Sequence, residues 1–355
     1  MVHKAILIGI NYLKSEKYRL SSPINDIKIM RDFLVNYCNY SDENIYLLSD
    51  SPKIKQAASF FNIVKNLKEV GRTLGENDHL TLYFSGHGSS INDTNNDETD
   101  KKDEIFLPQD WRVSYISDDL LNSILKEYKC RTLIIFDCCN SGTMCDLKYT
   151  YDVKNMEKIN NLKIKENDFS NIVCLSSSSE KKNSFEKFLD KNMINTDKNK
   201  FYGEFTIFLL HTLKQYLEEF LSFDGLSYFK LLEYLSDYLK PLDSLQTKSV
   251  AYILKHSLIS NPNIEPFISM SNDFIKDMIF LQSKENETSE KNIENQMMSD
   301  LSKKSFSSLA YKYTRLTRKV KFLEKKMKEQ TERNNKLMNI VASANLRYNF
   351  GMVLR

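Results

Sequence analysis

Short apolar runs alternate with amphipathic stretches from the first residues onward, the pattern of a largely parallel sheet flanked by helices. Residues 3–10 are predicted as a buried strand, and residues 25–37 as a helix with Ile27, Met30, Phe33 and Leu34 on one face. A second strand is expected over 44–48. Pro52 opens a predicted helix that runs to about Leu74, where Gly75 supplies a stop. Residues 79–84 read as a third strand, 104–107 as a short strand, and 118–128 as a helix. Residues 131–137 form a fourth strand whose unbroken apolar centre suits a sheet covered on both faces, and 171–176 a fifth. Helical periodicity returns over 203–217 and 227–238, and 250–254 reads as a last strand. The fold class is α/β, a mostly parallel sheet flanked by helices.

Polar composition interrupts this pattern twice. Residues 148–168, rich in Lys, Asn and Glu with little periodicity, read as a flexible surface insert, and 180–200 are similarly polar. The compact domain is expected to span 1–267, followed by a solvated linker over 268–304. The period then changes to heptads over 305–345. Phe306, Tyr313, Val320, Met327 and Val341 share one position, and Leu309, Leu316, Leu323 and Leu337 lie three residues on. Gln330 and Asn334 interrupt the seam, and an Asn there can fix the register of a dimer. Self-association through this C-terminal coiled coil is the leading reading. A helix docked on the domain, or a basic face from Lys312 to Lys328 binding an acidic partner, are the alternatives.

Charge and cysteine content narrow the function classes. Fifty Lys+Arg against 47 Asp+Glu leave a net charge of +3, too small to require nucleic acid or an anionic membrane as partner. No run reaches the roughly 18 to 20 apolar residues of a spanning helix, and the N-terminus lacks a signal peptide's length and cleavage site, so a soluble cytoplasmic protein is expected. Six cysteines in 355 residues are too few for a disulfide scaffold, and no CxxC or paired-histidine spacing suggests zinc.

Glycine is scarce, with nine in the chain, yet Gly86 and Gly88 bracket His87 directly after one apolar strand and Gly142 closely follows Cys139 after another. Ligands of open parallel sheets bind beyond the carboxyl ends of the strands, so a His and a Cys leaving neighbouring strands can face one crevice. A cysteine nucleophile needs a nearby imidazole and amides that hold the oxyanion, and the N–H groups of Gly88 and Cys139 can supply the latter. The run Tyr83-Phe84-Ser85-Gly86-His87-Gly88, followed by Phe136-Asp137-Cys138-Cys139-Asn140-Ser141-Gly142, resembles the caspase-like cysteine peptidases, and specifically the metacaspases with their SGHG and DxCxSG motifs. The resemblance implies a catalytic His87 and a nucleophile at Cys139 rather than Cys138. Asn140 stands where the family commonly has His. The resemblance extends over about 3–265: Gly9 to Tyr12 and Ile24 to Ile27 are similar to the family's opening segments, with Pro23 in place of a usual Cys, and Gly203 to Thr206 to its GxFT helix start.

Carboxylates at a pocket would attract a Lys or Arg side chain, whereas caspases clamp an Asp with Arg residues. The resemblance puts Asp26, Ser85 and Asp137 in such a pocket and so implies cleavage after Arg or Lys. Asp103, Asp118, Asp119 and Asp146 lie in acidic stretches that suit calcium equally with helix capping and a solvated loop. In metacaspases these four positions hold an activating calcium. A calcium-activated, self-processing cysteine endopeptidase is therefore the expected function, acting on protein or peptide substrates. The alternatives are a catalytically quiet scaffold assembling through its coiled coil, as a homo-oligomer, and a basic nucleic-acid binder.

Overall fold

A computed structural model describes residues 1–92, 101–142, 144–145, 147–154, 157–160, 171–178, 186–189, 200–220, 223, 226–239, 267–271 and 281. All lie in the compact unit Met1–Glu285. The heptad region belongs to the second unit, Asn286–Arg355, outside the described residues.

One nine-stranded sheet organises the unit. In chain order its strands are β1 (His3–Gly9), β2 (Ile45–Ser49), β3 (Gln56–Ala57), β4 (His79–Ser85), β8 (Arg131–Asp137), β9 (Tyr149–Asp152), β10 (Glu157–Asn160), β11 (Ile172–Ser176) and β14 (Phe267–Met270). Their spatial order is β10-β9-β14-β11-β8-β4-β1-β2-β3. The six strands from β11 to β3 run parallel, and β14 is antiparallel to both β11 and β9. From the central β1 the chain builds outward to β2 and β3, then returns past β1 to build β4, β8 and β11 on the other side. The strand order therefore reverses at the boundary between β1 and β4, the place where open α/β sheets receive ligands.

Both faces of the sheet are covered, and strand alternation assigns each side chain to one of them. Ala5, Leu7, Tyr83, Leu133, Ile135 and Leu175 pack with helices α1 (Pro23–Tyr37), α4 (Glu204–Phe220) and α5 (Tyr228–Leu239). Ile6, Ile8, Leu82, Phe84, Ile134 and Phe136 pack with α2 (Phe60–Arg72) and α3 (Asp118–Leu125). Among the described residues are two smaller sheets, β5 (Gly88–Asn92) with β6 (Lys102–Phe106) and β7 (Ile116–Ser117), and the hairpin of β12 (Glu186–Leu189) with β13 (Lys200–Gly203).

The helix predicted from Pro52 begins eight residues later. Pro52 lies in a turn, β3 extends the sheet beside β2, and the Ser59 hydroxyl accepts from Asn62 N to cap α2. The predicted insert is partly sheet: Thr150 and Tyr151 on β9 are 5% and 8% exposed, so the aromatic and β-branched residues between its lysines form a strand. Ile268 and Met270 are buried on β14, so residues 267–270 belong to the body and not to the linker expected from 268. The strand expected at 250–254 lies outside the described residues.

Tyr40 Oη and Thr81 Oγ1 share a buried hydrogen bond of 2.7 Å. Tyr40→Phe leaves the Thr81 hydroxyl unpaired and is expected to cost about 1–3 kcal/mol in urea denaturation, whereas adding Thr81→Val recovers most of that loss because both polar groups are then gone.

Candidate active site

The in-register pairing of Gly9 with Ser85 and of Ser85 with Asp137 aligns the carboxyl ends of β1, β4 and β8. By alternation Ser85 and Asp137 point to the α1 and α4 face, where Asp26 lies in the first turn of α1. The structure brings the three together. Asp26 Oδ2 accepts from Ser85 Oγ at 2.9 Å, and its Oδ1 accepts from Gly203 N at 2.8 Å. Asp137 Oδ2 accepts from Thr206 N at 3.0 Å and Thr206 Oγ1 at 2.7 Å, which places this carboxylate at the N-terminus of α4, where helix amides favour an anion. Asp26 is fully buried and Asp137 is 4% exposed. Gly203 fits between them because it lacks a side chain: a Cβ there would overlap Asp137 Oδ2 and lie 3.0 Å from Asp26 Oδ2. Burial, and next the charge of Asp137, push the Asp26 carboxyl well above the ordinary carboxylate range. Glu204, the next residue, is also buried and faces Lys187 Nζ at 3.8 Å.

His87 and Cys139 each lie two residues past the last paired position, Ser85 opposite Asp137. Their loops touch through backbone: a Cβ on Gly88 would overlap the Cys139 carbonyl oxygen, so only glycine allows this approach. His87 Nε2 is 2.8 Å from the Tyr18 carbonyl oxygen, which can only accept. That contact places the imidazole proton on Nε2 and leaves Nδ1 as the basic nitrogen. The Tyr12 ring packs on His87 at 4.6 Å, and its hydroxyl accepts from His87 N at 2.9 Å while donating to Leu107 O. Trp111 packs edge-on against Tyr18, bracing the loop that supplies the carbonyl.

The two adjacent cysteines have opposite environments. Cys138 is fully buried with the α2 and α3 core, and burial pushes its thiol far above the ordinary range; Cys139 is half-buried and reduced. The less buried of the two is the one expected to react. Asn140 follows in the left-handed region, φ 50°, so the chain turns immediately after Cys139. The Cys138 carbonyl receives three hydroxyls: Ser141 and Ser177 at 3.0 Å and Ser178 at 3.1 Å.

Oxygens of Asp103, Asp118 and Asp119 converge within 4.8 Å of one another. Asp118 accepts from Glu104 N at 2.6 Å and Asp119 N at 2.7 Å, and burial with the neighbouring carboxylates raises it to about 7. Three convergent carboxylates on β6 and α3 fit a hard oxygen-loving cation. Asp146, expected to join them, lies outside the described residues. The capping reading of Asp118 is displaced, since Ser117 supplies the N-cap oxygen of α3, accepting from Leu120 N.

Tyr18 is a neighbour of the site that the sequence does not single out, whereas Ser141, Ser177, Ser178 and Thr206 stand in visible runs without an assigned role. A carbonyl partner carries no side-chain signature, so nothing marks Tyr18. The GEFT and SSSS runs are visible but offer no geometry. Next to the site, a cavity of about 550 Å³ is walled by Tyr12, Asp50, Trp111 and Arg112; neither the acidic cluster nor Cys139 lines it.

Residues 3–148 match the family model for the metacaspase, peptidase C14 domain. Metacaspase-1B of Neurospora crassa is 35% identical over 165 residues, covering 45% of this chain and 38% of that protein. Metacaspase-1 of Saccharomyces cerevisiae is 34% identical over 164 residues, again 45% of this chain and 38% of the relative. The chain spans about two-fifths of the length of these curated relatives. A crystal structure of a Geobacter sulfurreducens protein superposes with a TM-score of 0.50 at 19% identity, covering 80% of this chain and all of that one, which shows the shared fold. Among the described residues no helix is long and apolar enough to cross a membrane.

Asp26→Asn tests the buried acid pair. A carboxyl raised above its unfolded value contributes stability that is fully present below about pH 4 and is lost as pH rises through its folded value. The wild type is therefore expected to lose thermal stability relative to Asp26→Asn as pH rises from about 4 into the neutral range, and parallel melting curves would refute it.

Proposed function

Since residues 3–148 match the metacaspase peptidase C14 domain, we propose that this chain is a cysteine endopeptidase cleaving after Arg or Lys. The observation that carries the proposal is the contact of the His87 and Cys139 loops at adjacent strand ends, beside the buried carboxylates of Asp26 and Asp137. In this reading His87 Nδ1 takes the Cys139 thiol proton, and the thiolate attacks the peptide carbonyl. The backbone amides of Gly88 and Cys139 receive the oxyanion, His87 protonates the leaving amine, and water then releases the acyl group. Asp26, Ser85 and Asp137 select the side chain of the cleaved residue. A substrate guanidinium or ammonium brings positive charge to the two buried acids, displacing amide and hydroxyl donors now on them.

Asp103, Asp118 and Asp119, with Asp146, are proposed as the holders of an activating calcium. Lys154 and Lys158, on and beside the β9–β10 hairpin, are proposed as self-processing positions together with Lys148; Lys163 and Lys165 lie outside the described residues. Lys158 Nζ sits 4.2 Å over the Tyr149 ring, so cleavage there requires the hairpin to open.

A fluorogenic Arg or Lys peptide, assayed with calcium and with chelator, tests this function. Cys139→Ala is expected to abolish hydrolysis while Cys138→Ala keeps most of it, because Cys138 is fully buried in the core. Asp137→Ala is expected to lower kcat/KM by about 2–4 kcal/mol of transition-state binding, the range for a buried charge pair losing one partner. Wild-type preference for Asp at the cleaved position, or equal loss in both cysteine variants with folding intact, would sink the assignment.

Mapping new termini by mass spectrometry after calcium addition tests self-processing. Cuts after Lys within 148–168 that vanish in Cys139→Ala are expected; an intact chain that still hydrolyses added peptide rejects the self-processing and leaves the peptidase.

A further inference from the structure

Three serine hydroxyls reach one backbone oxygen from two directions. Ser141 returns to the Cys138 carbonyl from three residues downstream, across the left-handed Asn140. Ser177 and Ser178 arrive from the end of β11, the parallel neighbour of β8, at 3.0 and 3.1 Å. The strand pairing sets that reach: Ser176 lies opposite Phe136, and Ser177 N donates to Phe136 O at 3.0 Å, two residues before the oxygen that the hydroxyls share. All three serines are fully buried. A buried hydroxyl must find an acceptor, but a local turn carbonyl satisfies that need for most serines. Convergence of three on a single oxygen, which has two lone pairs, concentrates donors at one peptide unit.

That peptide unit is the one whose nitrogen belongs to Cys139. A trans peptide is planar, with its C=O and N–H pointing in opposite directions, so fixing the Cys138 oxygen fixes the direction of the Cys139 N–H. Hydrogen bonds to the carbonyl also polarise the amide, and linked hydrogen bonds strengthen one another. We infer that Ser141, Ser177 and Ser178 are positioning residues that anchor the Cys138 carbonyl and thereby aim the Cys139 N–H at the oxyanion of acyl transfer. The inference rests on the peptidase reading and assigns a role to Ser177 and Ser178. The serines touch neither substrate nor sulfur; they act through the nucleophile's own backbone.

Loss of an aimed donor differs from a loosened fold in what it leaves intact. Alkylation of Cys139 by iodoacetamide develops no oxyanion, whereas a peptidyl aldehyde with Arg at its end adds to the sulfur and places an oxyanion in the same position. In the double variant Ser177→Ala/Ser178→Ala, kcat for the fluorogenic peptide is expected to fall about 10- to 100-fold with KM within about threefold, the loss expected of a donor used in the transition state. Aldehyde affinity is expected to fall by a comparable factor, with the iodoacetamide rate within about twofold of wild type. Each single variant is expected to lose about three- to tenfold in the same pattern, and the single variants decide the matter if the double variant does not fold. Retained kcat and aldehyde affinity would overturn the inference, as would a parallel fall in alkylation rate, which marks a collapsed loop. A wild type that hydrolyses no Arg or Lys peptide would instead remove the peptidase reading itself.

Discussion

The parallel pairing of β4 with β8, with Ser85 opposite Asp137, is the constraint on which the site depends. It sets two loops leaving the sheet side by side, each delivering its candidate catalytic group two residues past the pair. It also assigns faces. Leu133, Ile135 and Asp137 alternate onto the α1 and α4 side, while Ile134, Phe136 and Cys138 go to the α2 and α3 core. A slip of one residue would exchange these sets, burying a carboxylate among aliphatic side chains. The apolar alternation that stabilises the sheet is therefore what specifies the position of Asp137, and the two functions of the strand cannot vary independently.

The acid cluster is held at a cost that its donors only partly offset. A hydrogen bond to a charged group contributes about 1.5–3 kcal/mol, and the donors here include Ser85 Oγ, Gly203 N, Thr206 N and Thr206 Oγ1. Burying a carboxylate costs several kcal/mol for each ion, and two such groups lie on either side of one glycine. The raised carboxyl of Asp26 is the expression of that imbalance, since holding a proton there relieves both the burial and the repulsion from Asp137. The β13–α4 junction supplies three of these donors, so the segment that closes over the cluster also partly stabilises it.

Much of this is legible in the sequence because the sheet strands are apolar and bounded by turn residues. The strand over 131–137 matches its predicted limits, and α1 begins two residues before its expected start because Pro23 occupies the first turn. Three kinds of feature are not legible. β3 and β7, of two residues each, have no periodicity to read, and β3 displaces the start of α2 from Pro52 to Phe60. The 148–168 segment hides a strand because lysines flank its buried Thr150 and Tyr151. His87 Nε2 is met by the backbone oxygen of Tyr18 and three hydroxyls gather on that of Cys138, and nothing in a side-chain sequence marks a carbonyl. Motif residues can therefore be read from the sequence, whereas their supports cannot.

Cys138 joins these parts. Its side chain is locked in the α2 and α3 core, its carbonyl receives the three serine hydroxyls, and the residues on either side face different tasks. Asp137 before it belongs to the acid cluster, and Cys139 after it is half-buried. A small, apolar, buried residue suits the middle position because rotation about its bonds would swing both neighbours at once. Burial pushes its thiol upward and so disfavours the thiolate at this position. The adjacent cysteines are thus not equivalent: the first packs in the core and carries the carbonyl that the hydroxyls share, and the second is only half-buried.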